Sequence, residues 1–338
     1  MRPDYLTRIL TARVYDVAVA TPLTPAPRLS RRLGCEVLLK REDLQPVFSF
    51  KLRGAYNRMA QLSPDELLRG VVAASAGNHA QGVALAAERL GTSATIVMPS
   101  GTPRIKLDAV AARGARIVLH GACFDEAYRH ARSLARRARR AFIHPYDDPE
   151  VIAGQGTIGM EILRQRTDTL RAIFVPVGGG GLIAGIAAYV KRLRPEIQVI
   201  GVEPVDADAM SRSLAAGRRI RLDHVGQFAD GVAVKQVGRE TFRLCKELVD
   251  DVLVVTHGEI CAAIRDVFEE TRTVLEPAGA LALAGLKAYA ARNAVDGEAL
   301  VAIASGANID FDRLRGVAEQ AGAYGARDCL EVGASALP

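Results

Sequence analysis

One lysine, Lys51, lies in the stretch SFKLRG (residues 49–54), directly before a helix-like segment, residues 52–62. An exposed lysine is charged and unreactive at neutral pH. An amine that is partly desolvated loses proton affinity and can form a Schiff base with an aldehyde. Most lysines are solvated surface groups, so Lys51 needs support from elsewhere in the chain. Three other stretches, each after a short apolar run, carry groups that a phosphorylated, aldehyde-bearing cofactor would need.

Four consecutive glycines, residues 178–181, follow the apolar run 173–177 and precede a helix-like segment. They allow a sharp turn and can present several N–H groups to one anion at a helix N-terminus. A flexible turn is the alternative, but four glycines would be entropically costly for a turn alone. No Gly-Lys-Ser/Thr follows, and a dinucleotide fingerprint would need a third spaced glycine, although Glu203 keeps that alternative open. The run therefore predicts a phosphate site.

Two polar loops also follow apolar runs. In residues 75–79, Asn78 could donate to a phenolate oxygen, and the backbone N–H groups near Gly77 could receive a carboxylate. The hydroxyl of Ser305 could meet a ring nitrogen without holding it protonated. Helix capping is the alternative for both loops, and the two roles can coexist. We interpret His79 as structural rather than as a base.

Two acidic residues, Glu203 and Glu276, are candidates for metal binding only by residue type. Neither sits in a His, Cys or carboxylate cluster with ligand spacing. We therefore interpret both as structural and predict no metal site.

These loops must be positioned by an α/β fold. Apolar runs of four to six residues alternate with helix-length amphipathic segments, which predicts mostly parallel sheet covered on both faces. The runs fall into two blocks, one over about residues 55–145 and one over the remainder, and 338 residues favour two domains. Ligands of open parallel sheets bind at the carboxyl ends of the strands, so we expect the site in the cleft between the blocks. The runs that we interpret as strands are 37–40, 71–74, 94–98, 116–119, 172–177, 199–202, 252–255 and 300–304.

The composition restricts the class of function. It is 49% hydrophobic and 24% charged, which is typical of a globular enzyme. Trp is absent, which argues against a stacking surface for nucleic acid. Six arginines within residues 129–140 account for much of the net charge of +6, and we interpret them as a solvated helix face. A pocket for anionic small molecules stays compatible with this charge.

The cysteines and the apolar runs predict a cytoplasmic protein. The five cysteines are scattered, odd in number and without a CxxC pair, which indicates reduced thiols rather than a disulfide framework. No apolar run reaches about 18 residues, so we expect no membrane partner. The N-terminus carries Asp4 and has no apolar core of a secretory signal.

Seven motifs together resemble those of the threonine dehydratases, and they extend over most of the chain. The resemblance implies pyridoxal phosphate bound on the fold shared with tryptophan synthase β and cysteine synthase (pyridoxal-phosphate fold type II). In that fold two open, mostly parallel, twisted sheets are flanked by helices, and the cofactor lies in the cleft between the domains. The motifs are KREDLQPVFSFKLRGA (40–55), ASAGNHAQG (74–82), GQGT (154–157), VPVGGGGL (175–182), FADGVAV (228–234), EPAGA (276–280) and SGAN (305–308).

The resemblance also implies roles for individual residues. Lys51 would hold the cofactor aldehyde as a Schiff base and act as the catalytic residue. Phe50 would lie against the cofactor ring, Asn78 would bond its 3′-oxygen, and Ser305 would meet its nitrogen. The phosphate would lie in a cradle formed by Gly178, Gly179, Gly180, Gly181 and Leu182. The substrate carboxylate would be received by Ser75, Ala76, Gly77 and His79, with Gly154 and Gln155 nearby.

The implied reaction is the deaminating dehydration of L-threonine to 2-oxobutanoate and ammonia, in isoleucine biosynthesis or threonine catabolism, with L-serine as a secondary substrate. A dehydratase for phenylserine or hydroxyaspartate, a β-replacement synthase, or a serine racemase-like enzyme are alternatives, since one methyl contact contributes only about 1–3 kcal/mol. Ala76 stands where the related racemases carry a serine, so racemisation should be poor. A catalytically silent binding protein on the same fold is the alternative from another class.

The resemblance further implies an architecture and an assembly. We expect a large cofactor-binding domain of residues 1–55 and 146–322, a small mobile domain of residues 56–145, and a C-terminal tail of residues 323–338. A homodimer or homotetramer is implied. Longer biosynthetic members carry a C-terminal effector-binding domain where this sequence has only the tail of residues 323–338. We therefore do not expect feedback inhibition through such a domain. Related racemases bind Mg²⁺ near the segment that matches residues 203–209, where Ala209 replaces an acidic ligand.

Overall fold

The computed structural model describes residues 4–323, which form two β-sheets with helices packed on both faces. The larger sheet has six strands in the order β1-β2-β10-β7-β8-β9, and all neighbouring pairs are parallel except β1 with β2. Its strands are β1 (Leu23–Pro25), β2 (Glu36–Arg41), β7 (Ala172–Pro176), β8 (Gln198–Pro204), β9 (Asp251–Val255) and β10 (Ala299–Ala304).

The smaller sheet has four parallel strands in the order β5-β4-β3-β6. They are β3 (Val71–Ala74), β4 (Ala94–Met98), β5 (Arg116–Leu119) and β6 (Ala141–Phe142). All four lie within the block predicted for residues 55–145. The two sheets confirm the predicted α/β class with two mostly parallel sheets, whereas the domain boundaries themselves stay a prediction. Of the predicted C-terminal tail, residues 324–338 lie outside the described residues.

Helices connect the strands and cover the sheets. They are α1 (Tyr5–Leu10), α2 (Pro27–Leu33), α3 (Lys51–Met59), α4 (Pro64–Arg69), α5 (Asn78–Leu90), α6 (Arg104–Ala111), α7 (Phe124–Arg137), α8 (Pro149–Gln165), α9 (Gly181–Leu193), α10 (Ala209–Ala215), α11 (Arg239–Leu248), α12 (His257–Thr271) and α13 (Pro277–Ala290). Among residues 4–323, no helix combines the length and the apolar character that crossing a bilayer would require.

The alternation of side chains along the strands explains why helices lie on both faces. Successive residues of a strand point to opposite faces. In β10, Val301 and Ile303 join one hydrophobic cluster of the large sheet, whereas Leu300 and Ala302 join the cluster on the other face. The small sheet is divided in the same way between two clusters. Strands buried on both faces must be apolar throughout, which is why these strands read as continuous apolar runs.

Three loops leave the carboxyl ends of parallel strands. Residues 75–77 follow β3, residues 177–180 follow β7, and Ser305 follows β10. Lys51 begins α3, on the segment that joins the end of β2 to the small sheet. The fold therefore brings the candidate stretches of the sequence to strand ends and to the first turns of helices.

Candidate active site

Lys51 lies at the start of α3, with its amine 4.9 Å from the centroid of the Phe50 ring. Its side chain is half-buried. Burial lowers the pKa of Lys51 to about 8, and the nearby Glu276 carboxylate partly offsets that decrease. An amine with this pKa is neutral in part at neutral pH, so it can act both as a nucleophile and as a base.

The segment before Lys51 is held against the loop after β10. Ser49 forms an isolated antiparallel bridge with Gly306, and the Phe50 N–H donates to the Ser305 carbonyl at 3.2 Å. The Ser49 Oγ is buried and has no hydrogen-bond partner among the described residues. A buried hydroxyl without a partner is uncommon, and here it lies two residues from Lys51.

A network of buried charges lies beneath α3. The guanidinium of Arg53 is fully buried and donates to Glu42 at 2.7 Å and to Glu161 at 2.7 Å. The buried amine of Lys40 donates to Glu161 at 2.6 Å. Two cations and two carboxylates therefore balance each other, which buried charges require. Arg53 is two residues from Lys51, so the network fixes the helical turn that carries the amine.

Asn78 begins α5, and its side chain contacts Glu276 from the other sheet. The Asn78 Nδ2 donates to the Glu276 Oε1 at 2.5 Å. Burial, together with the neighbouring Asp230, raises the pKa of Glu276 to about 8. A Cβ on Gly306 would overlap the Glu276 carboxylate, so any larger residue would have to displace that carboxylate from Asn78. The interpretation of Glu276 as merely structural omitted its place in the site, because no local spacing links it to Asn78.

The four-glycine loop forms the N-terminus of α9. Gly180 has a φ of +94°, which favours glycine, and no side chain caps the helix. A Cβ on Gly179 would overlap the ring of Tyr146, and the Gly179 carbonyl accepts from the Thr241 hydroxyl at 2.6 Å. Leu182, the second residue of α9, is buried. The loop is thus held from two sides while the first N–H groups of a 13-residue helix stay without a side-chain cap, as an anion site requires.

The two predicted serines lie in the loops at the strand ends. Ser305 is buried, and its hydroxyl lies 3.4 Å from the Ala278 carbonyl. Ser75 accepts from the Gly77 N–H at 3.2 Å, so its side chain closes the turn before α5. Ala76, which lies between Ser75 and Gly77, is half-buried and its side chain is only a methyl group. The turn presents backbone rather than reactive side chains.

Three other predicted substrate contacts are tied to groups of the protein. The ring of buried His79 donates to the Ile143 carbonyl at 3.0 Å, and burial lowers the pKa of His79 to about 3. Gln155 accepts from the Gly54 N–H at 3.2 Å through its side chain. Gly154 packs so closely on Gly54 that a Cβ would overlap its backbone. Their roles as substrate contacts stay predictions, and His79 is neutral and structural in this arrangement.

Glu203 lies in β8 of the large sheet, and its carboxylate binds backbone groups of the protein. Its two carboxylate oxygens accept from the N–H groups of Met210 and Ser211, each at 2.8 Å, at the start of α10. Burial raises the pKa of Glu203 to about 8. Within residues 4–323, no group of three or more His, Cys, Asp or Glu side chains is placed to hold a metal ion.

Two ion pairs connect the helices of the small sheet with the segment between α10 and α11. The Lys106 Nζ of α6 lies 2.6 Å from the Asp230 Oδ2, and the Arg221 Nη2 lies 2.5 Å from the Asp125 Oδ2 of α7. The Lys106 side chain is 18% exposed, whereas that of Arg221 is 56% exposed. The Lys106 pair is thus the better shielded of the two.

The groups at this site fit a phosphorylated aldehyde. The uncapped helix N-terminus offers N–H donors for a phosphate, and Lys51 offers an amine that can be neutral. Asn78 and Ser305 offer an amide and a hydroxyl, and the unpartnered Ser49 Oγ lies beside them. Asn78 follows the small sheet and Ser305 follows the large sheet, and the contacts of Asn78 with Glu276 and Asn308 join the two sides.

Comparison with known proteins identifies the family of the sequence. Residues 14–306 match the family described as pyridoxal-phosphate dependent enzyme. The chain is 62% identical, over 94% of its length, to threonine dehydratase 1 biosynthetic, chloroplastic, from Solanum lycopersicum, and 59% identical, over 97%, to L-threonine dehydratase biosynthetic IlvA from Burkholderia multivorans. These matches cover 52% and 65% of the two relatives, so the chain spans about half to two thirds of their length.

Solved structures show the same fold. The processed form of threonine deaminase isoform 2 from Solanum lycopersicum aligns with a TM-score of 0.92 at 55% identity, covering 94% of this chain and 87% of that chain. Serine racemase from Dictyostelium discoideum aligns with a TM-score of 0.83 at 34% identity, covering 90% and 99%.

Proposed function

Because this chain belongs to the family of pyridoxal-phosphate-dependent enzymes, we propose that it converts L-threonine to 2-oxobutanoate and ammonia, with L-serine as a secondary substrate. The observation that carries the proposal is the environment of Lys51, a half-buried amine whose pKa burial lowers to about 8. The identity to threonine dehydratases over nearly all of this chain supports the substrate.

Five groups would hold the cofactor. Pyridoxal phosphate supplies an aldehyde that condenses with amines and a conjugated ring that makes the Cα proton of a condensed amino acid acidic. Lys51 would hold it covalently, and the ring of Phe50 would pack against it. The N–H groups of residues 178–182 would bind the phosphate, Asn78 would donate to the 3′-oxygen, and Ser305 would meet the ring nitrogen.

Lys51 would also move the proton during the reaction. With a pKa of about 8, about one tenth of the Lys51 amines are neutral at pH 7 and can accept the Cα proton. The resulting ammonium can then donate that proton to the β-hydroxyl as it leaves. The Ser305 hydroxyl carries no negative charge to hold the ring nitrogen protonated, which favours prompt loss of the hydroxyl.

The turn at residues 75–79 would determine what happens on the opposite face of Cα. Its backbone N–H groups would receive the substrate carboxylate. The methyl group of Ala76 cannot transfer a proton, so a proton cannot be returned from that side. This supports elimination over racemisation. Replacing Ala76→Ser should increase racemisation of L-serine, and no increase would count against the assigned place of residue 76.

The setting of the enzyme is also part of the proposal. Two threonine dehydratase relatives are named biosynthetic, which supports a biosynthetic role that we place in isoleucine synthesis. We propose a homodimer or homotetramer. A cytoplasmic location is supported by the scattered cysteines, of which Cys35, Cys123, Cys245 and Cys261 are free thiols in the described part of the chain.

Keto-acid formation by the purified chain tests the function. With added pyridoxal phosphate, the chain should release 2-oxobutanoate from L-threonine, with a higher kcat/KM than for L-serine, phenylserine or hydroxyaspartate. The Lys51→Ala variant, which places a good helix former in α3 but lacks the amine, should be inactive. A higher kcat/KM for one of the bulkier amino acids would reassign the substrate, and an active Lys51→Ala variant would contradict the mechanism.

A further inference from the structure

Asn308 connects the loop after β10 to Asn78 through hydrogen bonds of its side chain. Its Nδ2 donates to the Val47 carbonyl at 2.9 Å and to the Asn78 Oδ1 at 2.7 Å. The Asn78 Nδ2 in turn donates to the Glu276 Oε1 at 2.5 Å. Three side chains and one backbone carbonyl thus form a single chain of hydrogen bonds that ends at the candidate cofactor site.

The orientation of each amide in this series of hydrogen bonds follows from which groups can donate and which can accept. A backbone carbonyl only accepts, so the side chain of Asn308 must present its NH₂ group to Val47. The second hydrogen of that NH₂ group points to Asn78, which must therefore present its oxygen. The NH₂ group of Asn78 is then on the opposite side, where one hydrogen is bound by Glu276 and the other stays available to a ligand.

Glu276 alone cannot impose this direction at neutral pH. Because its pKa is raised to about 8, its carboxyl group is mostly protonated at pH 7. A protonated carboxyl group can donate or accept, and so it tolerates either orientation of the Asn78 amide. The Val47 carbonyl can only accept, so it determines the orientation of the Asn308 amide and, through it, that of Asn78.

We propose that Asn308 is a positioning residue, which holds the Asn78 amide in the orientation that presents an N–H rather than a carbonyl oxygen to the 3′-oxygen of the cofactor. The inference rests on the proposed cofactor site. It assigns a role to the last residue of the SGAN motif, which the resemblance alone left without one.

Three substitutions differ in what they do to Asn78. Removing its amide in Asn78→Ala should weaken cofactor binding by about tenfold to a hundredfold, the value of one hydrogen bond to a charged acceptor. In Asn308→Ala the amide can take both orientations, so about half of the molecules are competent and affinity should fall only about twofold. In Asn308→Asp the carboxylate accepts from Asn78 and reverses its amide, which then presents an acceptor to the 3′-oxygen, so the loss should be at least that of Asn78→Ala.

Titration of the apoproteins with pyridoxal phosphate, followed by visible absorbance, tests the proposal. The visible band should shift in the same direction in Asn308→Asp as in Asn78→Ala. In the Asn78→Ala background, Asn308→Ala should have no further effect on cofactor affinity. The matched control is Asn293→Asp, since the Asn293 amide also donates to a backbone carbonyl, that of Tyr289, at 2.8 Å, at the end of α13. It should bind the cofactor as the wild type does.

The outcomes separate this proposal from the proposed function. Wild-type protein that fails to bind pyridoxal phosphate would overturn the cofactor site itself. Wild-type binding together with an unchanged affinity and band in Asn308→Asp would overturn the role of Asn308 alone. Additive losses in the double variant would also overturn it, because they would indicate that Asn308 acts without Asn78. Melting temperatures of the apoproteins report any general loss of folding.

Discussion

Replacing Arg53→Met tests whether the buried charges beneath Lys51 stabilise the protein as a unit. The Arg53 guanidinium donates to two carboxylates, Glu42 and Glu161, and also reaches the Thr157 hydroxyl at 3.1 Å. Methionine has a similar length and fills much of the same space, but it cannot donate. Glu161 retains Lys40 as a partner at 2.6 Å, whereas Glu42 loses its only cation in this network.

The size of the effect follows from the burial. Removing one partner of a buried ion pair costs about 3–5 kcal/mol, because the other charge stays buried. An unfolding entropy of about 2.1 cal/mol/K per residue amounts to about 0.7 kcal/mol/K for a chain of this length. Arg53→Met should therefore lower the melting temperature by about 4–7 °C. Combining it with Glu42→Gln removes the unpaired charge and should restore part of that loss.

Thermal unfolding of the apoproteins, followed by circular dichroism, measures this effect. The matched control is Arg58→Met on the same helix, whose Nε lies 3.0 Å from the Asp148 Oδ2 and whose side chain is 24% exposed. That partly solvated pair should contribute less than about 1 kcal/mol, or about 1.5 °C. Equal shifts for Arg53→Met and Arg58→Met, or a double variant no more stable than Arg53→Met, would refute the reasoning.

Three further predictions concern the cleft, the phosphate cradle and the amine. Lys106→Asp or Asp230→Lys alone breaks the ion pair between α6 and Asp230 and should raise the KM for L-threonine. Combining the two substitutions restores a pair of opposite charges and should lower the KM again; no recovery in the double variant would contradict the pairing. Gly179→Ala should weaken pyridoxal phosphate binding about tenfold or more, because a Cβ there overlaps an aromatic ring, whereas Gly101→Ala, where a Cβ meets open space, should not. The rate at which the apoprotein combines with pyridoxal phosphate should rise with a midpoint near pH 8, because burial lowers the pKa of Lys51 to about 8 and only the neutral amine attacks; a midpoint above about pH 10 would contradict this.

Much of the fold could be predicted because its strands are buried on both faces. Such strands are continuously apolar, and the runs at 71–74 and 94–98 coincide with the fully buried strands β3 and β4. The edge strand β1 was harder to predict, because it lies in a passage rich in proline. Pro25 is tolerated at its end, where the lack of an N–H matters little at a sheet edge.

Helix α8 shows where local sequence is insufficient. Gly154, Gly156 and Gly159 all lie inside α8, although glycine is disfavoured in a helix interior. Close packing against neighbouring helices explains why these positions are occupied by glycine. A Cβ on Gly156 would overlap the Gly185 carbonyl of α9, and one on Gly154 would overlap the backbone of α3. Close approach between helices, which depends on the tertiary structure, overrides propensity here.

The candidate site was predicted only in part for the same reason. Lys51, the glycine loop and Ser305 are recognisable because each is followed or preceded by its own strand or helix. Glu276 and Asn308 are about 200 residues away from Asn78 in the chain, and only the packed structure shows that their side chains contact it. The charge balance around Arg53 likewise depends on partners from two other segments, which carry Glu42 and Glu161.

The central claim is that pyridoxal phosphate is held by Lys51. Sodium borohydride converts a carbon–nitrogen double bond between the cofactor and a lysine into a stable secondary amine, which survives proteolysis. Mass spectrometry of the digested, reduced protein should find the added pyridoxyl phosphate on the peptide that contains Lys51. The same group on a different lysine, or a visible cofactor band that persists in Lys51→Ala, would contradict the account.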